Sequence, residues 1–249
     1  MTPANRPSGG VSRRGKTVVI GGTGTSIGKT HFSEALLRTW RRTARVVGLK
    51  PIETGVVDHT TSDAARLAAA STFHVKQGGY SLTAPLSPHL AARDEGIEIR
   101  TERIVQLVRE ASQLAEVVLV ELAGGLFTPI ADGVSNADLA CALMPDALLL
   151  VAPDRLGVLH EVAATTRAAA ASSLRIDGIV LSVPEHPDAS TGRNAAELAR
   201  VTSVPVVGVL PRAVPAALAE LVALQAIVET IVRGRGEFVP FLGAGVTSS

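Results

Sequence analysis

The feature that most limits how this chain can fold is a set of short aliphatic runs that do not alternate with polar residues. KTVVIGG (16–22), RVVGLK (45–50), EVVLVELA (116–123), ALLLVAP (147–153), IDGIVLSV (176–183) and VPVVGVL (204–210) are each apolar almost throughout. A strand with one wet face alternates apolar and polar residues. A continuously apolar strand is covered on both faces, as inside a parallel sheet. Longer segments with helical spacing lie between the runs. THFSEALLRTWRR (30–42) sets Phe32, Ala35, Leu36 and Trp40 on one side. TSDAARLAAAS (61–71) and TERIVQLVREASQLA (101–115) each open with Thr or Ser and a nearby acid, as helix starts do. Strands alternating with such helices predict an α/β fold with a doubly wound, mostly parallel sheet. Ligands of such sheets sit beyond the carboxyl ends of the strands, so the informative residues should follow the runs.

The first run ends in Gly22-Thr23-Gly24-Thr25-Ser26-Ile27-Gly28-Lys29-Thr30, directly before a helix. Successive N–H groups of such a turn form an anion nest, and the helix start adds its positive dipole end. Gly24, Thr25, Ser26, Ile27 and Gly28 are therefore candidate phosphate contacts. Lys29 reaches the terminal phosphates, and the Thr30 hydroxyl suits Mg²⁺. The usual loop has four residues between its first glycine and the Gly-Lys-Ser/Thr ending. Position 23 is threonine here, and the nearest fitting glycine is Gly22, so the loop is one residue longer and rich in hydroxyls. The fold expectation becomes a phosphate-loop NTPase-like single domain.

Composition narrows the partners. At 249 residues and 46% hydrophobic content, the chain can bury a full core in one domain. Its 24 basic and 23 acidic residues nearly cancel, which argues against nucleic acid or a charged membrane surface as a partner. One Trp and one Tyr provide no stacking platform for single strands. The single cysteine, Cys141, excludes a disulfide framework and a cysteine-rich zinc site, and reads as core filler. The most apolar window, DLACALMPDALLLVAPDRL, is broken by Pro145, Asp146 and Pro153, so it falls short of the ~20 apolar residues of a spanning helix. No apolar signal segment follows Met1, and a soluble, cytoplasmic protein is expected. The expected organisation is a disordered tail at 1–15, a domain at 16–243 and a flexible tail at 244–249. Of the basic residues, 20 are Arg and only four are Lys: Lys16, Lys29, Lys50 and Lys76. Surface charge is carried by Arg, so a Lys inside a Gly- or Pro-marked motif is a candidate for chemistry.

LKPIETG (49–55) follows the second run. A Lys before Pro is held extended and points into the cleft, where its compact charge suits a developing phosphoanhydride. Glu121 closes an apolar run, where an unpaired carboxylate is costly. Bound Mg²⁺ would relieve that cost. Ser62-Asp63 in TTSDAARL reads as a helix cap.

Gly-Thr-x-Thr-x-x-Gly-Lys-Thr after an N-terminal strand resembles the dethiobiotin synthetases, ATP-dependent enzymes of biotin synthesis. The resemblance extends from about Lys16 to about Arg212. LKPIETG is similar to that family's Lys-Pro-x-x-Ser/Thr-Gly segment and VELAGGLFTP (120–129) to its Val-Glu-Gly-Ala-Gly-Gly motif. APLSPHLAARDEG (84–96) is similar to the segment that shapes the diamine pocket. The resemblance implies catalytic roles for Lys29, Lys50 and Thr25, and Mg²⁺ ligation by Thr30, Asp63 and Glu121. It implies nucleotide contacts by the loop together with Ser182 and Pro211. It implies contacts to 7,8-diaminononanoate by Lys50, Thr54, Ser87, Pro88, Gly124, Gly157, Val158 and Leu159. His89 receives no catalytic role. The implied co-substrate is ATP, the cofactor Mg²⁺, and the assembly a homodimer with shared sites.

The chain departs from the family pattern at three positions. Leu122 replaces a glycine, which should reduce backbone room beside the metal. Leu159 replaces an Asn in the Leu-Gly-x-x-Asn-His segment, leaving the backbone N–H groups of Gly157 and Val158 to hold a carboxylate. Ser182 replaces the Asn that reads the adenine edge, so a relaxed choice among nucleoside triphosphates is expected. The alternative function is a paralogue with an intact nucleotide site and a different amine or carboxylate substrate. A switch ATPase of the partitioning or septum-placement type shares the fold, but the upstream loop lysine of those proteins is missing from Ile20–Thr23. A cobalamin-type amidoligase needs a glutamine-hydrolysing domain for which the chain is too short.

Overall fold

The computed structural model describes residues 14–75, 78–233 and 238. The expected tail at 244–249, residues 1–13 of the other tail, and Lys76 lie outside the described residues. Gly15, still within the expected N-terminal tail, already donates its N–H to the Ser112 carbonyl.

The chain runs β1 (Lys16–Gly22), α1 (Lys29–Trp40), β2 (Val46–Leu49), β3 (Ile52–Thr54), α2 (Asp63–Ala70), β4 (Tyr80–Leu82), α3 (Pro88–Asp94) and α4 (Thr101–Leu114). It continues through β5 (Val117–Glu121), β6 (Pro129–Ala131), β7 (Val134–Ser135), α5 (Asn136–Leu143), β8 (Ala147–Pro153) and α6 (Val158–Ala171). It closes with β9 (Gly178–Ser182), α7 (Asn194–Val201), β10 (Val206–Leu210), α8 (Pro215–Leu218) and α9 (Val222–Arg233). The six apolar runs form one parallel six-stranded sheet in the order β10-β9-β8-β1-β5-β2.

Both faces of the sheet are covered. Val18 and Ile20 of β1 join α1 (Phe32, Leu36, Trp40) and α9 in one core, while Val19 faces the other way into a core with Ile104, Val108 and Leu139 of α4 and α5. That two-sided burial is why the runs are apolar without alternation. Each fully buried aliphatic side chain contributes roughly 1.5–3 kcal/mol, and six such strands secure the scaffold. Cys141 is exposed, contrary to its reading as core filler. In α5 the buried positions are Asn136, Ala137, Leu139, Ala140 and Leu143, and Cys141 falls on the other side of the turn. Two short pairs, β3 with β4 and β6 with β7, stand apart from the main sheet. Among the described residues no helix is long and apolar enough to cross a membrane.

Candidate active site

Strand order creates the site. β1 lies between β8 and β5, and β2 is beyond β5, so the carboxyl ends of β1, β5 and β2 open side by side. The loop after β1 carries Lys29 and Thr30, β5 ends in Glu121, and Lys50 follows β2 directly. Three segments distant in sequence thereby deliver their charged groups to one edge.

The loop between β1 and α1 needs its glycines. Gly28 caps α1 at φ 95°, in the left-handed region, and a Cβ there would lie 2.5 Å from Ser182 Oγ. A Cβ on Gly22 would meet the Lys29 stem at 2.9 Å. Lys29 is buried and donates from Nζ to the Gly24 carbonyl at 2.6 Å. Burial pulls its pKa down to about 8, with Glu121 opposing the shift and the Lys50 charge adding to it. Anionic phosphate oxygens beside it would favour its charged form.

Lys50 donates to Asp63 Oδ2 and to Glu121 Oε1, both at 2.7 Å. Burial works against its charge, but the Glu121 and Asp63 carboxylates outweigh it and hold the pKa above the usual lysine value. Burial likewise raises Asp63, and Lys50, Thr30 and Arg66 more than reverse it, so its pKa is lowered. The Thr30 hydroxyl donates to Glu121 Oε1 at 2.7 Å. Glu121 is fully buried, and its Oε2 has no hydrogen-bond partner among the described residues. An orphaned buried carboxylate oxygen beside a hydroxyl and a second carboxylate fits Mg²⁺, which takes one or two carboxylates and fills its shell with phosphate oxygens and water. The described residues contain no cluster of three or more His, Cys, Asp or Glu able to hold a metal by themselves.

Two cavities flank the phosphate loop. One, of about 410 Å³, is lined by Thr25, Lys29, Thr30, Lys50, Thr54 and Asp63, with Glu53 and Arg66 at its side. The other, of about 740 Å³, shares Thr25 to Gly28 and extends past His31 to Ser182 and Pro211. Thr25 to Thr30, Lys50, Thr54 and Asp63 thus line these cavities, with Ser182 and Pro211 on the loop's other side. Gly24 and Glu121 line neither, Glu121 joining the cluster through its bonds to Thr30 and Lys50. A larger groove of about 880 Å³, between Arg167, Asp177 and Thr202, lies at the opposite end of the strands and holds none of these groups.

Other candidates stand elsewhere. Ser87, Pro88, Gly124, Gly157, Val158 and Leu159 are not among the residues described as lining either cavity of the single chain. Ser87 hydrogen-bonds His89 Nδ1 at 2.9 Å at the start of α3, with Pro88 at its first helical position. Gly124, at φ 69°, packs on Thr128. The backbone N–H of Val158, expected to remain for a carboxylate, donates to the Arg155 carbonyl at 3.1 Å and is committed. Leu159 packs on the cluster around Val162 and Leu198. Leu122 is buried and belongs to the core cluster that contains Leu126.

Sequence reasoning missed four groups. Glu53 accepts the N–H groups of Asp63 and Ala64. Glu161 on α6 accepts the Thr23 hydroxyl at 3.0 Å and an Arg155 N–H at 2.9 Å, tying the phosphate loop to that helix. His31 bonds through Nε2 to the Ala213 carbonyl. Asp154, buried, accepts from the Gly192 N–H and the Asn194 amide. Only Glu53 carried a signal, being three residues from Lys50 in a motif already singled out.

A parallel sheet with a phosphate loop at the exit of its central strand, buried lysines and a Mg²⁺-suited carboxylate pair defines a phosphate-loop nucleotide enzyme. Residues 16–216 match a family model described as an AAA domain. The chain is 39% identical over 198 residues to the ATP-dependent dethiobiotin synthetase of Anaeromyxobacter sp. (strain K), covering 77% of this chain and 88% of that one. It is 38% identical over 202 residues to the enzyme of the same name from Ralstonia nicotianae, covering 78% and 87%. The chain belongs to the ATP-dependent dethiobiotin synthetase family. In fold it is similar to a ParA family ATPase from Chlorobium tepidum TLS, with a TM-score of 0.54 at 11% identity over 88% of this chain and 97% of that one. It is also similar to a chain of the MinC:MinD cell division complex of Aquifex aeolicus, with a TM-score of 0.55 at 14% identity over 92% and 100%.

Proposed function

We propose that this protein closes the ureido ring of dethiobiotin from 7,8-diaminononanoate, CO₂ and ATP. The observation that carries the reading is the Lys29, Lys50, Thr30 and Asp63 cluster lining a second-substrate cavity, with buried Glu121 bonded to Thr30 and Lys50 beneath it, in a member of this family. One amine of the diamine adds to CO₂ and releases a proton, giving a carbamate. A carbamate oxygen then attacks the γ-phosphorus and ADP leaves, giving a carbamic–phosphoric anhydride. The second amine attacks the carbamoyl carbon, loses a proton and expels phosphate. Such chemistry depends mostly on positioning and charge stabilisation. Lys29 and the loop N–H groups bind the triphosphate. Lys50 neutralises the oxygens between carbamate and phosphorus, and Thr25 and Thr54 orient the reactants. Mg²⁺ would be held by Thr30, Asp63 and Glu121, and supplies neutralisation of phosphate charge when bound.

The base would lie in the larger cavity against Ser182 and Pro211. Serine reads base edges loosely, which supports use of triphosphates besides ATP. The working form in this reading is a cytoplasmic homodimer. In support, Gly157 and Leu159 at the start of α6, the segment expected to reach the substrate's carboxylate across a dimer interface, line neither of the two cavities of one chain. The test is phosphate release with Mg-ATP, bicarbonate and 7,8-diaminononanoate, omitting each in turn. Release that requires both diamine and bicarbonate is expected. Release indifferent to the diamine would leave a sound phosphate loop serving another amine or carboxylate.

A further inference from the structure

Helix α2 is capped in an unusual division of labour. A helix start leaves its first N–H groups without intrahelical partners, and a local side chain normally takes one of them. Ser62 does this for the Ala65 N–H at 3.1 Å. The two N–H groups before it, those of Asp63 and Ala64, are taken by a residue from another strand. Glu53 of β3 accepts Asp63 N–H at Oε1 (2.7 Å) and Ala64 N–H at Oε2 (3.1 Å). Charge-assisted bonds of this kind are the stronger sort, and a carboxylate also suits the positive end of the helix.

Glu53 is itself firmly founded. Its neighbour Ile52 is buried in the core, Glu53 is in register with Ser81 across the β3–β4 pair, and the Tyr80 N–H donates to the Pro51 carbonyl at 2.7 Å. Lys50, three residues upstream, grips the Asp63 carboxylate. One short segment therefore holds Asp63 twice, by its backbone through Glu53 and by its side chain through Lys50. Glu121 needs no such help, being fixed in a central strand. Asp63 stands at a helix start with its side chain about one-third exposed (32%), so its location depends on what holds that first turn.

We infer that Glu53 is a positioning residue for the divalent cation, fixing the first turn of α2 so that Asp63 faces Glu121. This rests on the assignment of Asp63 and Glu121 to Mg²⁺ made above. The competing role for Glu53, which lines the same cavity as Thr54, is proton acceptor for the amine. Both its oxygens, however, are turned to the α2 backbone.

The test is a titration of Mn²⁺, followed by electron paramagnetic resonance, into the protein with a non-hydrolysable ATP analogue. Glu53→Ala, Glu53→Gln and Ser62→Ala are compared at matched folded fraction. Loss of a partner that orients a metal ligand typically weakens metal binding by about 10–100-fold. Glu53→Ala should weaken Mn²⁺ binding at least about tenfold on that scale. Glu53→Gln, keeping one acceptor oxygen, should fall between Glu53→Ala and the parent. Ser62→Ala removes the other cap of the same helix and should lower the melting temperature while leaving Mn²⁺ affinity unchanged. Equal loss of Mn²⁺ affinity in Ser62→Ala and Glu53→Ala would overturn the inference, as would no loss in Glu53→Ala. A Glu53→Gln variant with unchanged Mn²⁺ affinity but a shifted pH–rate profile would overturn it in favour of the proton acceptor. Mn²⁺ binding needs no diamine, so a wrong amine substrate would leave this readout intact. If the Asp63–Glu121 assignment itself were wrong, Asp63→Asn would fail to weaken Mn²⁺ binding.

Discussion

The two sides of the phosphate loop are built by different means. Towards Lys50 the site consists of charged side chains buried against one another and rooted in strand ends, with Glu121 fully enclosed and Lys50 bridging both carboxylates. Towards Ser182 it consists of loops held by backbone contacts. His31 reaches the Ala213 carbonyl, Asp154 secures Gly192 and Asn194, and Asp188 accepts the Leu156 N–H at 2.8 Å. Buried charge in a low-dielectric pocket is strong and intolerant of change. Loop backbone offers shape and a few generic donors. Substitutions on the first side should cost turnover, and those on the second should alter choice.

The largest effect should come from Lys50→Ala. Turnover should fall about 10²–10³-fold, the scale of losing one preorganised charge stabiliser. Equilibrium nucleotide affinity should change only about twofold, since the nest and Lys29 remain. Near-normal ring closure in that variant would remove the distinction between the two sides. Gly28→Ala tests their junction. A left-handed φ and a Cβ 2.5 Å from Ser182 Oγ strain the loop that both cavities share. About 1–3 kcal/mol of such strain corresponds to roughly 5–150-fold weaker nucleotide binding by fluorescence titration.

A smaller effect should follow pH. Lys29, with its pKa near 8, is increasingly neutral above that pH, and anionic phosphates favour its charged form. Binding should therefore take up a proton above pH 8. Metal-free ADP affinity should fall by up to about tenfold per pH unit until the bound-state pKa is reached. Calorimetry in buffers of different ionisation heat reads the proton uptake, and a flat profile would exclude the effect. The smallest change belongs to Ser182. Catalytic efficiency with ATP and CTP should be similar, and Ser182→Asn should favour ATP by a few-fold to about tenfold, the worth of one hydrogen bond. A strong preference for ATP in the parent would show that the loops read the base more closely than serine allows.

The same contrast governs what could be read from sequence. The six strands were legible because two-sided burial leaves continuous apolar runs. Lys50 and Glu121 were legible as polar exceptions at the ends of such runs, and Lys29 because it closes the glycine-rich loop that follows one. Their convergence was not, since it depends on β5 inserting between β1 and β2, and no local pattern encodes strand order. Glu161 and Asp154 make their bonds to segments 38 to 138 residues away, so each looked like ordinary acidic surface. Glu53 lay in a motif already singled out but bonds a helix start 10 residues on. The short β3 and β6 escaped because three-residue strands carry no usable period. Leu122 was legible only as a replacement for a motif glycine; its burial in the core was not.

The central position of β1 also has a history in time. This strand is made before the other five of its sheet, but its neighbours there are β5 and β8, which end at Glu121 and Pro153. At about 5–20 residues per second, roughly 5–20 s of synthesis pass before the first of them exists. Throughout that interval an aliphatic strand and the phosphate loop it carries have no native sheet to join. Parallel sheets close non-local contacts and so fold late. The nascent chain is most exposed to aggregation and chaperone capture over this stretch, and release of the chain from a chaperone should coincide with synthesis past β8.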